Sequence, residues 1–186
     1  MDTTYKTNKY RFPLLEIVGV TCTGLSFSVG FVFLSSDEEK NIIWALQKFR
    51  GSPLTLHVGF EVIVCDRGLA LMNVINIVFP KATNLLWRFH INKNVKAKCK
   101  MFVDSVEAWQ IVMDSWRTFI DCTKIAKFDG FVKMFETICS PWPLVVEYVK
   151  NTWIIPHKEK FVKCWTNSLM HLGNTTSNRY VYKCWM

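Results

Sequence analysis

Two aspartates could perform chemistry together, although they are far apart in the chain. Asp2 lies in a segment rich in β-branched and aromatic residues (2–7), and Asp66 directly follows the apolar run EVIVC (61–65), which is typical of a strand buried on both faces. Ligands of open α/β sheets gather at strand ends, so neighbouring strands would bring both carboxylates to one small volume. Mg²⁺ or Mn²⁺ suits such a pair, because a cation relieves the repulsion between the charges. Two such ions can activate a water for phosphodiester cleavage.

A plainer interpretation of the same two residues stays open from spacing alone. Asp66 would then cap the helix that follows it, since aspartate is common at that position, and Asp2 would be a solvated terminal residue. Neither of these roles requires the two strands to be neighbours. The functional hypothesis is therefore geometric, and it needs both aspartates on adjoining strands.

The densest basic cluster of the sequence consists of Arg88, Lys93, Lys96, Lys98 and Lys100. On a helix, Lys93, Lys96 and Lys100 would share one face at the spacing i, i+3, i+7. Such a face could contact nucleic-acid phosphates without sequence specificity and with strong salt dependence. An ordinary solvated helix face explains the same spacing equally well.

Composition bounds the class of protein. Half of the 186 residues are hydrophobic, which excludes a largely disordered chain and provides a core for an ordinary domain. The 23 basic and 15 acidic residues give a net charge of +8, which favours a polyanionic partner. The seven Cys and four His are scattered without a CxxC pair, so we expect a reducing compartment and no zinc site. The sequence contains no phosphate-binding Gly-rich loop and no GxSxG motif.

One segment of the N-terminal half is long and uncharged enough to suggest a membrane span. Residues 17–36 carry no charge over the length of a membrane span, but they include many Gly, Ser and Thr residues. Two strands joined at Thr23–Gly24 explain this composition better than a helix in lipid. The start of the chain is polar and basic and does not resemble a secretory signal. We therefore expect no membrane partner.

Periodicity and breaker residues predict an α/β half followed by a helical half. The predicted strands are 2–7, 14–22, 25–34, 61–65 and 83–90, and the helices between them run from Ser36 to Arg50 and over 69–79. Five further helices are predicted, at 92–102, 106–119, 125–138, 144–153 and 157–171, separated by Pro141, Pro143 and Pro156. The predicted organisation is an α/β core (1–91), an α-helical insertion (92–172) and a short final segment (173–186).

Several strings occur together in one order: DTTYKTNKYRFPLLEIVGVT, VIVCDRGLALMNVINIVFPKATNLL, RFHINKNVKAKCK and HLGNTTSNR. In this order they resemble the catalytic region of plant Mutator-like element (MULE) transposases and their domesticated relatives, the far-red-impaired-response type transcription factors. The resemblance implies a ribonuclease-H-like α/β fold, with a mixed five-stranded sheet and a helical insertion. It also implies a DDE acidic triad for metal-dependent DNA strand cleavage and transfer, in which Asp2 and Asp66 match the first two acids and hold Mg²⁺ or Mn²⁺.

Three departures from the family pattern bear on activity. The family places a Glu shortly after the Asn178–Arg179 pair, where this chain has Tyr-Val-Tyr (180–182). The family also has a Cys-x-x-His motif, of which this chain has the histidine, His90, but has Trp87 at the position of the cysteine. The chain begins one residue before Asp2, so the central strand is expected to be truncated at its N-terminus. Because a missing carboxylate removes charge that holds the metals, we expect an incomplete triad and an inactive protein.

These observations predict a fragment of a Mutator-like transposase catalytic domain that has lost its activity. The alternative is a domesticated, non-catalytic nuclear protein of the far-red-impaired-response type that binds DNA or regulates transcription. Both hypotheses imply a nuclear location and non-specific contact with the DNA backbone, and both leave homo-oligomerisation open.

Overall fold

The computed structural model of the chain describes residues 1–4, 8–20, 25–53, 55–56 and 59–169, and of residues 2–4 the backbone alone. These residues form two compact units, which divide between Trp87 and Arg88. The first unit contains all the described strands, and the second is helical. This division lies a few residues before the predicted boundary at 91–92, and the description of residues 88–169 as an insertion stays a prediction.

A three-stranded antiparallel sheet opens the first unit. Strands β1 (Asp2–Thr4), β2 (Leu14–Val20) and β3 (Ser26–Phe33) pair in the order β1-β2-β3. The β2–β3 pair confirms that the uncharged segment 17–36 forms strands, as its Gly, Ser and Thr content predicts. The predicted turn at Thr23–Gly24 lies outside the described residues.

A β-bulge changes which side chains of β3 share a face. The register runs from Ile17 opposite Gly30 to Val18 opposite Ser28, which adds one residue to β3 at this point. Simple alternation would place Phe27 on the same face as Phe31, but the bulge moves it to the other face, opposite Gly19. The Phe27 ring covers this glycine, since a Cβ there would lie 2.8 Å from Cε1 of the ring.

Two parallel strands and two helices complete the first unit. Strands β4 (Val62–Cys65) and β5 (Thr83–Leu86) pair in parallel, and helix α2 (Leu69–Val78) connects them, as a parallel pair requires a crossover. Helix α1 (Glu39–Arg50) packs against α2 and ends at Gly51, as predicted. Both helices turn an apolar face inward, because residues such as Ile42 and Ile75 recur at helical spacing and are fully buried.

The predicted single sheet of five strands is not observed. The described strands form one sheet of three and one sheet of two. Only three residues of β1 are described as strand, and their backbone hydrogen bonds pair them with β2. Among the described residues, β1 and β4 do not pair with each other. The sequence prediction is therefore correct for the mixed α/β class, while a continuous five-stranded sheet is not shown by the described residues and stays a prediction.

The second unit consists of helices. Its longer elements are α3 (Arg88–Cys99), α4 (Val106–Ile120), α5 (Ile125–Ile138) and α6 (Pro143–Val149), and its short ones are a 3₁₀ turn (Lys100–Phe102), a π-helical turn (Lys150–Ile154), α7 (Ile155–His157), a second 3₁₀ turn (Lys158–Lys160) and α8 (Lys163–Thr166). Ser105 caps α4 by accepting a hydrogen bond of 3.0 Å from the backbone nitrogen of Ala108. The predicted helix 157–171 is wrong over its described part, which contains only short turns.

Pro156 does not separate two helices, contrary to the prediction. The backbone N–H of Ile155 bonds to the carbonyl of Lys150, five residues earlier, so the turn before the proline is widened. A proline lacks the N–H that a regular helix needs, and its ring clashes with the preceding turn. The π-helical turn makes room for this ring, and the chain stays helical through the proline.

Aromatic side chains form the core of the second unit. Trp116, Phe119, Phe135, Trp153 and Phe161 are all inaccessible to solvent. The rings of Trp116 and Phe119 meet edge to face with centroids 4.9 Å apart, which is a favourable geometry for their quadrupoles. Within the described parts of the chain, no helix is both long and apolar enough to cross a membrane.

Candidate carboxylate site and basic helix

The start of β1 lies beside β4. The amino nitrogen of Met1 donates a hydrogen bond of 2.8 Å to the carbonyl oxygen of Val64. Asp2 follows Met1 directly, and Asp66 lies two residues after Val64, at the carboxyl end of β4. The backbones that carry the two aspartates therefore approach each other, as the geometric hypothesis needs. The Asp2 side chain lies outside the described residues, so the meeting of the two carboxylates stays a prediction.

Asp66 does not occupy the helix-cap position that the plainer interpretation assigned to it. Helix α2 begins at Leu69, and Gly68 is its N-cap residue. Asp66 lies earlier, in the loop that leaves β4, and its side chain is half-buried. The preceding residue, Cys65, is fully buried and donates from Sγ to Oδ1 of Asn84 at 3.1 Å, which fixes the end of β4 against β5.

Sequence reasoning missed one carboxylate near Asp2. Glu16 lies opposite Asp2 in the β1–β2 register and is half-buried. Directly opposed residues of an antiparallel pair have Cβ atoms about 5 Å apart. Only the strand register reveals Glu16, because the sequence alone does not show which residue of β2 lies opposite Asp2. Across the described ranges, no group of three or more His, Cys, Asp or Glu side chains is close enough to hold a metal ion.

Arg88 and His90 lie in the first turn of α3, and not on strand β5, as the predicted strand 83–90 required. The Arg88 side chain is buried, and its Nη2 donates to Oδ1 of Asp121 at 2.6 Å. Lys163 Nζ lies 3.0 Å from the same oxygen. Burial raises the pKa of Asp121, but the hydrogen bonds and charges of Arg88 and Lys163 outweigh it, and the net pKa lies below the ordinary value. Arg88 thus belongs to an ion pair in which the guanidinium is buried and the carboxylate is about half exposed.

The four lysines of the predicted cluster differ from Arg88. Lys93, Lys96, Lys98 and Lys100 are all exposed, while Val95 and Cys99 on the opposite side of α3 are fully buried. The α3 sequence RFHINKNVKAKC contains no acidic residue that could neutralise them. Helix α3 therefore presents a cationic face to solvent.

Two buried cysteines of the second unit, Cys99 and Cys139, do not resemble nucleophiles. Burial raises the pKa of the Cys99 thiol to about 11 and that of Cys139 to about 12. A thiol with such a pKa is protonated at neutral pH, and the thiolate is the reactive form. These two cysteines fill space in the helical core.

The fold and the site define a mixed α/β unit with an acid at a strand end, followed by a basic helix that opens a helical unit. A family model of the MULE transposase domain matches residues 1–94. The chain belongs to this family, which confirms the resemblance found in its sequence strings. Protein FAR1-RELATED SEQUENCE 5 of Arabidopsis thaliana is 28% identical over 97 residues, which are 52% of this chain. The match spans 12% of the length of that relative.

Of two departures from the family motifs, the structure describes Trp87 and does not describe the Tyr-Val-Tyr segment. Trp87, which replaces the motif cysteine, is half-buried, and its backbone nitrogen donates to the carbonyl of Cys65 at 2.9 Å. This bond extends the contact between β4 and β5 by one residue. The Tyr-Val-Tyr segment (180–182) lies outside the described residues.

Proposed function

We propose that this chain is a transposase-derived protein that binds the DNA backbone through the lysines of α3 and does not cut DNA. The observation that carries the proposal is the cationic face of Lys93 and Lys96 on α3 and Lys100 at the start of the 3₁₀ turn that follows it, in a segment (88–102) without acidic residues. Lysines in such a row attract phosphates whatever the base sequence, because the interaction depends on charge and on the release of counterions. Membership of the MULE transposase domain family supports DNA as the polyanion.

We further propose that the first unit has the ribonuclease-H-like strand order β3-β2-β1-β4-β5. The hydrogen bond from Met1 to Val64 supports this order, because it brings β1 beside β4. The antiparallel β1-β2-β3 sheet and the parallel β4–β5 pair agree with it on either side. In this order Asp2 lies on the strand next to β4, and Asp66 directly follows the end of β4.

Asp2 and Asp66 would be the residues that hold Mg²⁺ or Mn²⁺, and such ions supply a Lewis acid and an activated water when bound. Glu16, opposite Asp2 in the register, adds a third carboxylate to this region. The Tyr-Val-Tyr segment at the position of the family glutamate supports the absence of cleavage by this chain. A nuclear location follows from DNA as partner and from the similarity to the FAR1-related protein.

The DNA-binding proposal predicts a salt dependence that three lysines control. Changing Lys93, Lys96 and Lys100 together to Gln should weaken binding to a random duplex and lower the slope of log K against log salt by about 2.7, since each phosphate contact contributes about 0.9. Fluorescence anisotropy at several salt concentrations measures both quantities.

A matched control removes the same charge elsewhere. Lys124, the N-cap residue of α5, and Lys127 and Lys133 within α5 are all exposed. Changing these three lysines to Gln should leave the slope of log K against log salt within about 0.5 of the wild-type value. Equal losses in both triple variants would show that net charge alone drives binding. An unchanged slope in the α3 variant would contradict the proposal.

The metal proposal has a test that is independent of DNA. Mn²⁺ should bind the wild-type chain in isothermal titration calorimetry, and Asp66→Asn should weaken this binding by roughly tenfold or more, because one charged oxygen ligand is lost. Asp114→Asn changes an exposed carboxylate of α4 in the same way and serves as the control. Equal binding by Asp66→Asn and wild type would remove Asp66 from the metal site.

A further inference from the structure

The first unit exposes aromatic rings on β3, and the neighbouring loop before β2 exposes further rings together with positive charge. On β3, Phe31 is 67% and Phe33 53% exposed, although both are large apolar side chains. The loop before β2 adds Tyr10, 71% exposed, and Phe12, 43% exposed. Lys9 and Arg11 alternate with these loop rings and are exposed as well. We call these six residues the aromatic platform.

The strand register places the parts of the platform at one end of the sheet. Phe33 lies opposite Leu14, the first residue of β2, and the backbone nitrogen of Leu34 donates to the carbonyl of Pro13 at 2.8 Å. The loop 8–13 therefore leaves the sheet next to Phe33. Phe31 and Phe33 share a face and stand about 7 Å apart, because each strand residue advances about 3.4 Å.

One side chain holds the loop in shape. Asn8 Oδ1 accepts hydrogen bonds of 3.1 Å from the backbone nitrogens of Tyr10 and Phe12, and its Nδ2 donates to the Phe12 carbonyl at 2.6 Å. Arg11 has a φ of 57°, a conformation that is uncommon for a residue other than glycine. The rings of Tyr10 and Phe12 are stacked with centroids 6.1 Å apart, and Lys9 Nζ lies 5.9 Å from the Tyr10 centroid. The loop thus presents its rings and charges in a fixed arrangement.

We propose that the aromatic platform binds single-stranded nucleic acid, with bases stacked on the rings and phosphates near Lys9 and Arg11. Stacking on aromatic side chains accepts any base, because every base has a π-face, and flanking cations track the backbone. The charges of the platform favour this ligand over an apolar protein partner. Glu16 lies opposite Phe31, and its carboxylate repels phosphates, so the nucleic-acid backbone is favoured on the side of Lys9 and Arg11.

This proposal concerns a different surface and a different form of nucleic acid from the α3 lysines. Duplex DNA keeps its bases stacked inside and cannot use the rings, so the two surfaces separate experimentally. Phe27 provides a matched control, because it is 51% exposed on the same strand but lies on the other face beyond the bulge.

The test compares a labelled thymidine oligonucleotide of about 15 nucleotides with a duplex of random sequence. The double variant Phe31→Ala/Phe33→Ala should lose roughly tenfold or more in affinity for the single strand and keep its affinity for the duplex. Phe27→Ala should bind both like wild type. Lys9→Gln/Arg11→Gln should lower the single-strand salt slope by about 1.4, at about 0.7 for each contact.

Crosslinking provides a second measurement that uses the unaltered chain. An oligonucleotide carrying 5-iododeoxyuridine should, after irradiation and mass spectrometry, give adducts at Tyr10, Phe31 or Phe33. Wild-type affinity in the Phe31→Ala/Phe33→Ala variant, or adducts only at other residues, would overturn the proposal. If that variant instead changes a dimer into a monomer in sedimentation, a second copy of the chain occupies the platform and the proposal is equally wrong.

Discussion

Changing Asp121 to Ala is expected to lower the free energy of unfolding of the helical unit by about 2–4 kcal/mol. The cause is Arg88, whose side chain is 4% exposed and pairs with Asp121 at 2.6 Å. Its Nε and Nη1 atoms are buried without a hydrogen-bond partner among the described residues, so Asp121 is the main compensation for its charge. Urea denaturation followed by tryptophan fluorescence measures the change.

Two further variants separate this mechanism from a simple loss of contacts. Asp114→Ala breaks an exposed ion pair with Arg117, in which both side chains are at least half exposed, and should cost no more than about 0.5 kcal/mol. Adding Arg88→Met to Asp121→Ala removes the buried charge itself and should recover most of the loss. No recovery in the double variant would show that the buried guanidinium is not the source.

The same ion pair predicts a pH dependence with a definite sign. The folded protein holds the pKa of Asp121 below its ordinary value of 3.8, because Arg88 and Lys163 favour the charged carboxylate more than burial disfavours it. A lowered folded pKa contributes stability above the unfolded pKa and loses it as the pH falls through the folded pKa. The difference in urea midpoint between wild type and Asp121→Ala should therefore be constant near neutral pH and shrink below about pH 4.

The same residues show where sequence reasoning succeeds and where it fails. Periodicity places the end of α1 correctly, because Gly51 ends it and a repeating apolar face fills the core, but the helix begins at Glu39, three residues after the predicted start at Ser36. The aromatic segment 87–90 also fits a strand, and the prediction extends β5 too far. Arg88 in this segment pairs with a residue 33 positions away, and no local sequence pattern contains such a contact.

The sequence also predicts some residues of the candidate site and not others. The apolar run before Asp66 predicts a strand that ends at this residue, and helical spacing predicts the lysine face. The position of Glu16 opposite Asp2 depends on the strand register. The placement of Phe27 and Phe31 on different faces depends on a bulge. A bulge has no reliable sequence signature, and a shift of one residue moves a side chain to the other face of a sheet.

The second large effect concerns the packing of α3. Trp116 is inaccessible to solvent, and its Nε1 donates to Oδ1 of Asn92, a residue of α3, at 2.8 Å. Trp116→Ala should lower the free energy of unfolding by about 3–5 kcal/mol, because it leaves a large cavity among aromatic rings. Trp116→Phe keeps most of the ring volume and removes the hydrogen bond, so its smaller cost reports on the link to α3.

Hydrogen exchange distinguishes this link from a general loss of stability. Under conditions where Trp116→Phe remains folded, peptides from α3 should exchange faster than in wild type, while peptides from α1 should not. Trp44→Ala, at a 56% exposed position of α1, is the control and should leave α3 unchanged. Because the lysine face depends on how α3 is held, faster exchange confined to α3 should accompany weaker binding to duplex DNA. Unchanged exchange in α3 would mean that Ile91, Val95 and Cys99, all buried, hold this helix without Asn92.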